Sequence, residues 1–178
     1  MPLSDAALVH QTRQGNTEAF GILVDRHSPR LSRYALHLLG NRADAEEAVQ
    51  ETLVRAFRSL ARYEEREQFG AWLLRILVNR CRTLASRRRD FEPLDAAALV
   101  WHPGEDPIEA MAVREELNEA LAQLSPEHRE AIALRFGEDL SFAQMATVTG
   151  AGIPALKMRV RRACDRLRAL LEESRARV

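Results

Sequence analysis

The sequence predicts an all-α protein of two small helical domains joined by an acidic linker. Apolar residues recur at helical spacing in both halves of the 178-residue chain, and alternating β-branched runs with hairpin turns are missing. Between the halves, residues 90–110 hold six acids and three prolines but no Lys or Arg. We therefore predict a first domain over residues 1–89, a flexible linker over 90–112 and a second domain over 113–178.

Three main helices are predicted in the first domain. Pro29 lies inside the first of them and is expected to kink or divide it. Asp44 is expected to cap the second helix. The apolar positions expected to face inward are, for the first, Phe20, Leu23, Val24, Leu31, Tyr34, Ala35 and Leu38; for the second, Ala48, Val49, Thr52, Leu53, Ala56 and Phe57; and for the third, Phe69, Trp72, Leu73, Ile76 and Leu77.

The second domain is predicted to contain a helix-turn-helix. After an apolar series through Leu124, Ser125 and Pro126 supply a helix cap and a first helical residue. Further on, Ser141 and Gln144 form a capping box for a short helix through Thr149. The turn at residues 150–152 ends that helix, and Pro154 starts a longer one. Such a corner suits binding in the DNA major groove, although many other folds contain it.

The last predicted helix has an apolar stripe and an opposite basic face. Its cations crowd the first turns, where a recognition helix meets base edges and phosphates. Met158 points to solvent among them and can pack on a thymine methyl group. A solvated amphipathic surface is the alternative interpretation. The stripe comprises Leu156, Val160, Ala163, Leu167 and Leu170, and the opposite face comprises Lys157, Met158, Arg161, Arg162, Asp165 and Arg168.

Charge is segregated along the chain, although 26 basic residues balance 26 acidic ones. Zero net charge by itself argues against nucleic-acid binding. However, residues 79–89 hold five arginines and no acid. Phe69 and Trp72 just before them are expected to pack in the core, and the alternative is a stacking platform for unpaired bases. The cationic track beside these aromatics would comprise Arg75, Asn79, Arg80, Arg82 and Arg87, where the amide can bond a base edge.

An acidic cluster lies in two turns of the second predicted helix. Acids early in a helix complement its dipole without any partner. On a DNA-binding protein, however, an acidic face also suggests docking to a basic protein. The acids are Asp44, Glu46, Glu47 and Glu51, with Gln50 among them.

Several classes of protein are excluded by what the sequence lacks. No apolar run approaches the roughly 20 residues of a membrane span, and the N-terminus has no secretory pattern. Cys81 and Cys164 stand far apart without metal-ligand spacing, and no catalytic triad, metal site or phosphate loop is present. We therefore expect a cytoplasmic protein that is not an enzyme and needs no cofactor.

Three motifs in order resemble the extracytoplasmic-function (ECF) sigma factors, the smallest class of bacterial RNA polymerase specificity subunits. "DAEEAVQETLVRAF" resembles the acidic region-2 signature, and "FGAWLLRILVNRCRTLASRRR" resembles the stretch that follows it. "LSPEHREAIALRF", "LSFAQMATVTG" and "LKMRVRRACDRLRALL" resemble region 4. The resemblance covers nearly the whole chain.

The resemblance implies a role for each surface. The acidic face would bind the β′ coiled coil of core polymerase, the first domain would capture a flipped −10 base, and the second would read the −35 duplex. The β flap and a restraining anti-sigma factor are further implied partners. The implied contacts are Asp44, Glu47, Gln50 and Glu51 for polymerase; Phe69, Trp72, Arg75, Asn79, Arg82 and Arg87 for the −10 element; and Arg135, Lys157, Met158, Arg161 and Arg162 for the −35 element.

Some residues depart from the family pattern. Gln144 stands where Glu is usual, Pro154-Ala155 replaces Gly-Thr, Met158 replaces Ser, and Thr83 stands where Asp is common. These departures bear on promoter preference and leave the helical fold intact, because Pro is accepted in a first helical turn. Two other functions stay open at this point. One is a mimic that sequesters an anti-sigma factor, and the other is an ordinary helix-turn-helix regulator.

Overall fold

A computed structural model describes residues 3–64, 68–87 and 107–176, and for 107–114 the backbone alone. The described residues form α-helices linked by short turns and contain no strand, which confirms the all-α prediction. The helices are α1 Asp5–Arg13, α2 Thr17–Leu39, α3 Arg42–Ser59, α4 Phe69–Arg87, α5 Pro107–Ala122, α6 Pro126–Ile132, α7 Phe142–Thr149 and α8 Ile153–Arg175.

Helix α2 is continuous although Pro29 lies inside it. The Asn16 side chain accepts hydrogen bonds from two backbone N–H groups of the first turn, at 3.1 and 3.3 Å. At the other end, Gly40 adopts φ 63°, a left-handed conformation that costs glycine little. Of the two expected effects of Pro29, division of the helix does not occur, because strong caps and a buried face that includes Leu31 and Tyr34 hold it together.

Helix α3 differs from its prediction at both ends. Its cap is Asn41, whose side chain accepts a hydrogen bond from the Asp44 N–H at 3.1 Å, so Asp44 lies in the first turn instead. There its charge still favours the helix dipole. Phe57, predicted to face inward, is 46% exposed and packs edge-to-face against Phe20, with ring centroids 5.0 Å apart. The inward position fails because the buried face of α3 is narrower than predicted and comprises Ala45, Ala48, Val49, Thr52 and Ala56.

The turn signals of the second domain are confirmed. Ser141 and Gln144 exchange hydrogen bonds with each other's backbone N–H groups at 3.2 and 2.8 Å. Helix α8 begins at Ile153, with Pro154 in its first turn. Helix α5 begins at Pro107, inside the range predicted as linker, and residues 88–106 lie outside the described part of the chain.

The two helical halves pack against each other. Helix α4 lies against α7, and α2 lies against α6 and the π-helical turn Ala133–Gly137 that follows it. One continuous apolar core includes Leu77 of α4 together with Met145 and Val148 of α7. A smaller cluster joins α5 to α8 through Ala120 and Leu170. The sequence does not predict this shared core, because its patterns report only one face per helix.

Both cysteines are free thiols, and they differ in burial. Burial raises the pKa of Cys81 to about 12, and it also raises the pKa of the partly buried Cys164. Because the thiolate is the reactive form, we expect iodoacetamide at pH 8 to modify Cys81 at least about 100-fold more slowly than Cys164. Mass spectrometry of the native chain measures both rates. We expect the two rates to become equal only after unfolding in urea. Equal rates in the native protein would contradict the difference in burial between the two cysteines.

Candidate nucleic-acid and protein interfaces

Helix α8 presents its predicted basic face to solvent. Leu156 and Val160 are 1% and 7% exposed and anchor the opposite side in the core. Met158 is 46% exposed among the cations, as its position on the helix predicts. The exposed residues of the first three turns include Lys157, Met158, Arg161 and Arg162. These three cationic side chains and the apolar Met158 therefore lie outside the core and point outward.

Arg135 lies just before the helix-turn-helix and contributes to its geometry. Its guanidinium lies between the rings of Phe136 and Phe142, at 5.8 and 5.7 Å from the centroids, and donates to the Leu140 carbonyl at 3.1 Å. The Lys157 ammonium lies over the same Phe142 ring at 5.9 Å. Cation–π contacts therefore connect the turn before α7 to the first turn of α8. Phe136 is half exposed, and the sequence had not singled it out.

On α4 the predicted basic track is divided between surface and interior. Asn79 and Arg87 are exposed, and Arg75 is half-buried. The backbone carbonyl of Asn79 accepts a hydrogen bond from Thr83 Oγ1 at 2.9 Å, and the residue is exposed to solvent. Arg80, grouped with this track in the sequence, is buried instead.

Phe69 and Trp72 belong to the core. They are 3% and 8% exposed and pack with Tyr63 in an aromatic cluster whose centroid separations are 5.0–5.6 Å. Of the two interpretations of these aromatics, the structure favours core packing, because neither ring has a free face on which a base could stack. The exposed part of the track is therefore polar and cationic.

Arg82 makes the main polar contact between the two halves of the molecule. Its Nη2 and Nε lie 2.7 Å from the two carboxylate oxygens of Glu130 on α6, and its Nη1 donates to the Thr149 carbonyl of α7 at 3.1 Å. The Glu130 side chain is only 6% exposed. Such bidentate pairing is the strongest arrangement that Arg and a carboxylate can form.

Further contacts surround this pair. Arg30 of α2 bonds Glu138, and Arg129 of α6 donates to the Leu38 carbonyl at 3.3 Å. Burial, and secondarily the nearby Glu130 charge, raise the pKa of the Tyr34 hydroxyl well above its ordinary value. The junction between the two halves is therefore a charged network set in an apolar core.

The acidic face of α3 is partly exposed and borders an apolar patch. Glu47 and Gln50 are exposed, and Asp44 and Glu51 are partly buried. Val54, 48% exposed, and Phe57 continue the same side of the helix toward its C-terminal end. An apolar patch beside carboxylates is a typical protein-docking surface. Sequence reasoning missed the patch, because Phe57 has the spacing of an inward residue.

The described residues, 3–64, 68–87 and 107–176, contain neither a metal-binding cluster nor a membrane-spanning helix. No group of three or more His, Cys, Asp or Glu side chains there could hold a metal ion. No helix among those residues combines the length and apolar character needed to cross a membrane.

A helix-turn-helix with an outward basic helix, packed beside a second bundle with its own basic helix, defines a two-domain helical DNA-binding protein. The profile for Sigma-70 region 2 matches residues 23–91, and that for Sigma-70, region 4 matches residues 114–167. The chain is 34% identical to the RNA polymerase sigma factor CarQ of Myxococcus xanthus over 171 residues, covering 90% of this chain and 94% of CarQ. It is 35% identical to the ECF sigma factor EcfG of Rhodopseudomonas palustris over 147 residues, covering 80% of each.

The chain belongs to the ECF sigma factors, and it directs promoter-specific transcription initiation. Solved structures agree. CnrH in complex with the cytosolic domain of CnrY has a TM-score of 0.72 at 30% identity, with 95% of this chain and 97% of that one covered. The sigma factor RpoE in complex with the anti-sigma factor NepR, from Bartonella quintana, has a TM-score of 0.67 at 27% identity, with 86% and 96% covered.

Proposed function

We propose that this sigma factor divides promoter recognition among three surfaces, each built from residues that the sequence predicts for it. The outward basic face of α8 carries the proposal, because it combines cations with an apolar Met158 at the end of a helix-turn-helix. Lys157, Arg161 and Arg162 would bond phosphates and guanine edges of the −35 duplex. Arg135 would support this surface through the Phe142 ring that it shares with Lys157.

The exposed part of α4 would capture the melted −10 strand. Flipping a base out of a duplex costs a few kcal/mol, and the Asn79 amide together with arginine–phosphate contacts would offset that cost. Arg87, exposed at the end of α4, is placed to meet the backbone, whereas the guanidinium of Arg82 is held by Glu130. One guanidinium cannot bind Glu130 and a phosphate in the same geometry. We therefore infer that the two halves separate when Arg82 meets DNA.

Core RNA polymerase would bind the acidic face of α3 through Asp44, Glu47, Gln50 and Glu51, with its β′ coiled coil as the partner of this surface and its β flap meeting the second domain. An anti-sigma factor, as in the RpoE–NepR complex, is the expected restraint. Within this proposal the protein works in the cytoplasm by binding alone, without catalysis. The first domain, linker and second domain would occupy residues 1–89, 90–112 and 113–178.

Run-off transcription with purified core polymerase tests the whole proposal. Sheared genomic DNA of the source cell serves as template, and sequencing of the transcripts locates their start points. We expect initiation at a limited set of promoters only when the protein is added. A protein that binds an anti-sigma factor but directs no initiation would be a sequestering mimic, and one that binds operator DNA without polymerase would be a helix-turn-helix regulator. Either result would contradict the proposal.

Replacing Asn79 with alanine is expected to slow open-complex formation about 10-fold, the loss typical of one base-edge contact. Polymerase affinity should stay unchanged, since Asn79 lies on α4 and the acidic docking face on α3. Permanganate footprinting measures strand opening, and fluorescence anisotropy measures polymerase binding. Gln123→Ala, which removes an exposed amide just after the end of α5, is the matched control. An equal loss of both activities in Asn79→Ala would count against base capture.

A further inference from the structure

Arg80 lies beneath the acidic face of α3 and bridges two of its carboxylates. Its side chain is 6% exposed, with Nη2 2.6 Å from Glu47 Oε1 and Nε 2.7 Å from Glu51 Oε2. Arg55, one turn along α3, lies 3.5 Å from the same Glu51 oxygen and is much more exposed. The two acids of the proposed polymerase surface are therefore held from another helix.

Burial makes this bridge costly to break. An arginine removed from water needs carboxylate partners, and losing them leaves an uncompensated charge in the interior. Glu47 and Glu51 are 53% and 40% exposed, so each keeps surface available to a partner protein while it binds Arg80. The two acids are four residues apart on one helix face, where like charges repel. The cation between them offsets that repulsion and fixes both side chains.

The position of Arg80 on α4 connects this bridge to the −10 surface. Asn79 is the preceding residue, one helical step of about 1.5 Å away, and its side chain points to solvent. Helices α3 and α4 pack against each other along their length. A shift of Glu47 and Glu51 would therefore act, through Arg80, on the same turn of α4 that presents Asn79.

We propose that Arg80 is a positioning residue that couples polymerase docking on α3 to base capture by Asn79 on α4. The proposal rests on the function proposed above for these two surfaces. Because coupling between two binding sites is reciprocal, a bound −10 strand must also tighten the binding of polymerase. Such couplings typically amount to about 5–150-fold in affinity.

The same acidic helix supplies a control. Arg42 and Glu46 form an ion pair at 2.9 Å within α3, with side chains 87% and 62% exposed. This pair has the same two charges and lies in the same helix as Glu47 and Glu51. Its contact joins two residues of α3 and does not link α3 to another helix. An exposed pair of this kind contributes little to stability or to geometry.

The test measures the affinity of the full-length protein for core polymerase, with and without a saturating single strand. The strand carries the −10 region of a promoter found by run-off transcription. The ratio of the two dissociation constants is the coupling factor. We expect about 10-fold for the wild type, a factor near one for Arg80→Gln, and the wild-type factor for Arg42→Gln. Circular dichroism verifies that each variant is folded.

A folded Arg80→Gln protein that keeps the wild-type coupling factor would overturn the proposal. If Arg80→Gln does not fold, Arg80→Lys replaces it, because lysine keeps the charge but loses the planar fork that reaches both carboxylates. We expect a reduced factor for this variant, and an unchanged one would overturn the proposal. A wild-type protein that does not bind core polymerase at all would instead contradict the proposed docking surface, and Arg42→Gln cannot produce that result.

Discussion

Replacing Arg82 with methionine is expected to separate the two halves of the protein. The change leaves the carboxylate of Glu130, 6% exposed, without its cation and removes the donor to the Thr149 carbonyl. Breaking a buried ion pair from one side costs about 3–5 kcal/mol, and we expect the lower end because Arg82 itself is 37% exposed. Opening the interface relieves this cost by returning Glu130 to water.

Fluorescence energy transfer between dyes on α1 and α5 measures the opening, and small-angle scattering gives an independent radius of gyration. Arg87→Met, an exposed position at the end of the same helix, is the control and should leave the distance unchanged. The double variant Arg82→Met/Glu130→Met should close again, because two apolar side chains replace the pair without leaving a charge. An Arg82→Met protein as compact as the wild type would show that Arg82 does not hold the two halves together.

Met145→Ala and Met158→Ala give opposite expected results for the same chemical change. Met145 is fully buried in the shared core, so its truncation should lower the free energy of unfolding by about 2–5 kcal/mol. Met158 is 46% exposed, and its truncation should change that free energy by less than about 0.5 kcal/mol. Urea denaturation followed by circular dichroism measures both values.

For DNA binding the order should be the opposite, with the larger effect from Met158→Ala and the smaller from Met145→Ala. Met158→Ala is expected to weaken binding of the polymerase complex to its own −35 element, because the apolar contact with a thymine methyl group is lost. Competition between promoter fragments that differ at single −35 positions detects which base pair is affected. Similar stability losses for the two variants would mean that Met158 is not a surface residue.

The local features of this fold could be predicted from the sequence. Capping of α6 and α7 by Ser125 and Ser141 depends on side chains within three residues of the N–H groups they satisfy. The outward position of Met158 follows from helical period alone, because the apolar stripe fixes the orientation of α8. Family-specific motifs added the sigma-factor resemblance, which the comparisons confirm.

Other features could not be predicted from the sequence alone. Asn41 outcompetes Asp44 as the cap of α3, a local choice that the sequence leaves open because both residue types cap helices well. The exposure of Phe57 and the burial of Arg80 depend on how α2, α3 and α4 share their faces. Helical period assigns each residue a direction, but it does not say which neighbouring helix, or solvent, lies in that direction.

The sequence alone determined the helical content, the capped turns and the basic face of the last helix, because these properties arise from residues a few positions apart. Tertiary structure decided which charges are free to bind a partner. Arg82 and Glu130 are 48 residues apart in the chain, and Arg80 is 33 residues from Glu47. Pairing over such separations follows from how the helices pack. A cation can be buried in a low-dielectric interior only beside polar partners such as a carboxylate, so the buried cations are paired and the others remain available to DNA.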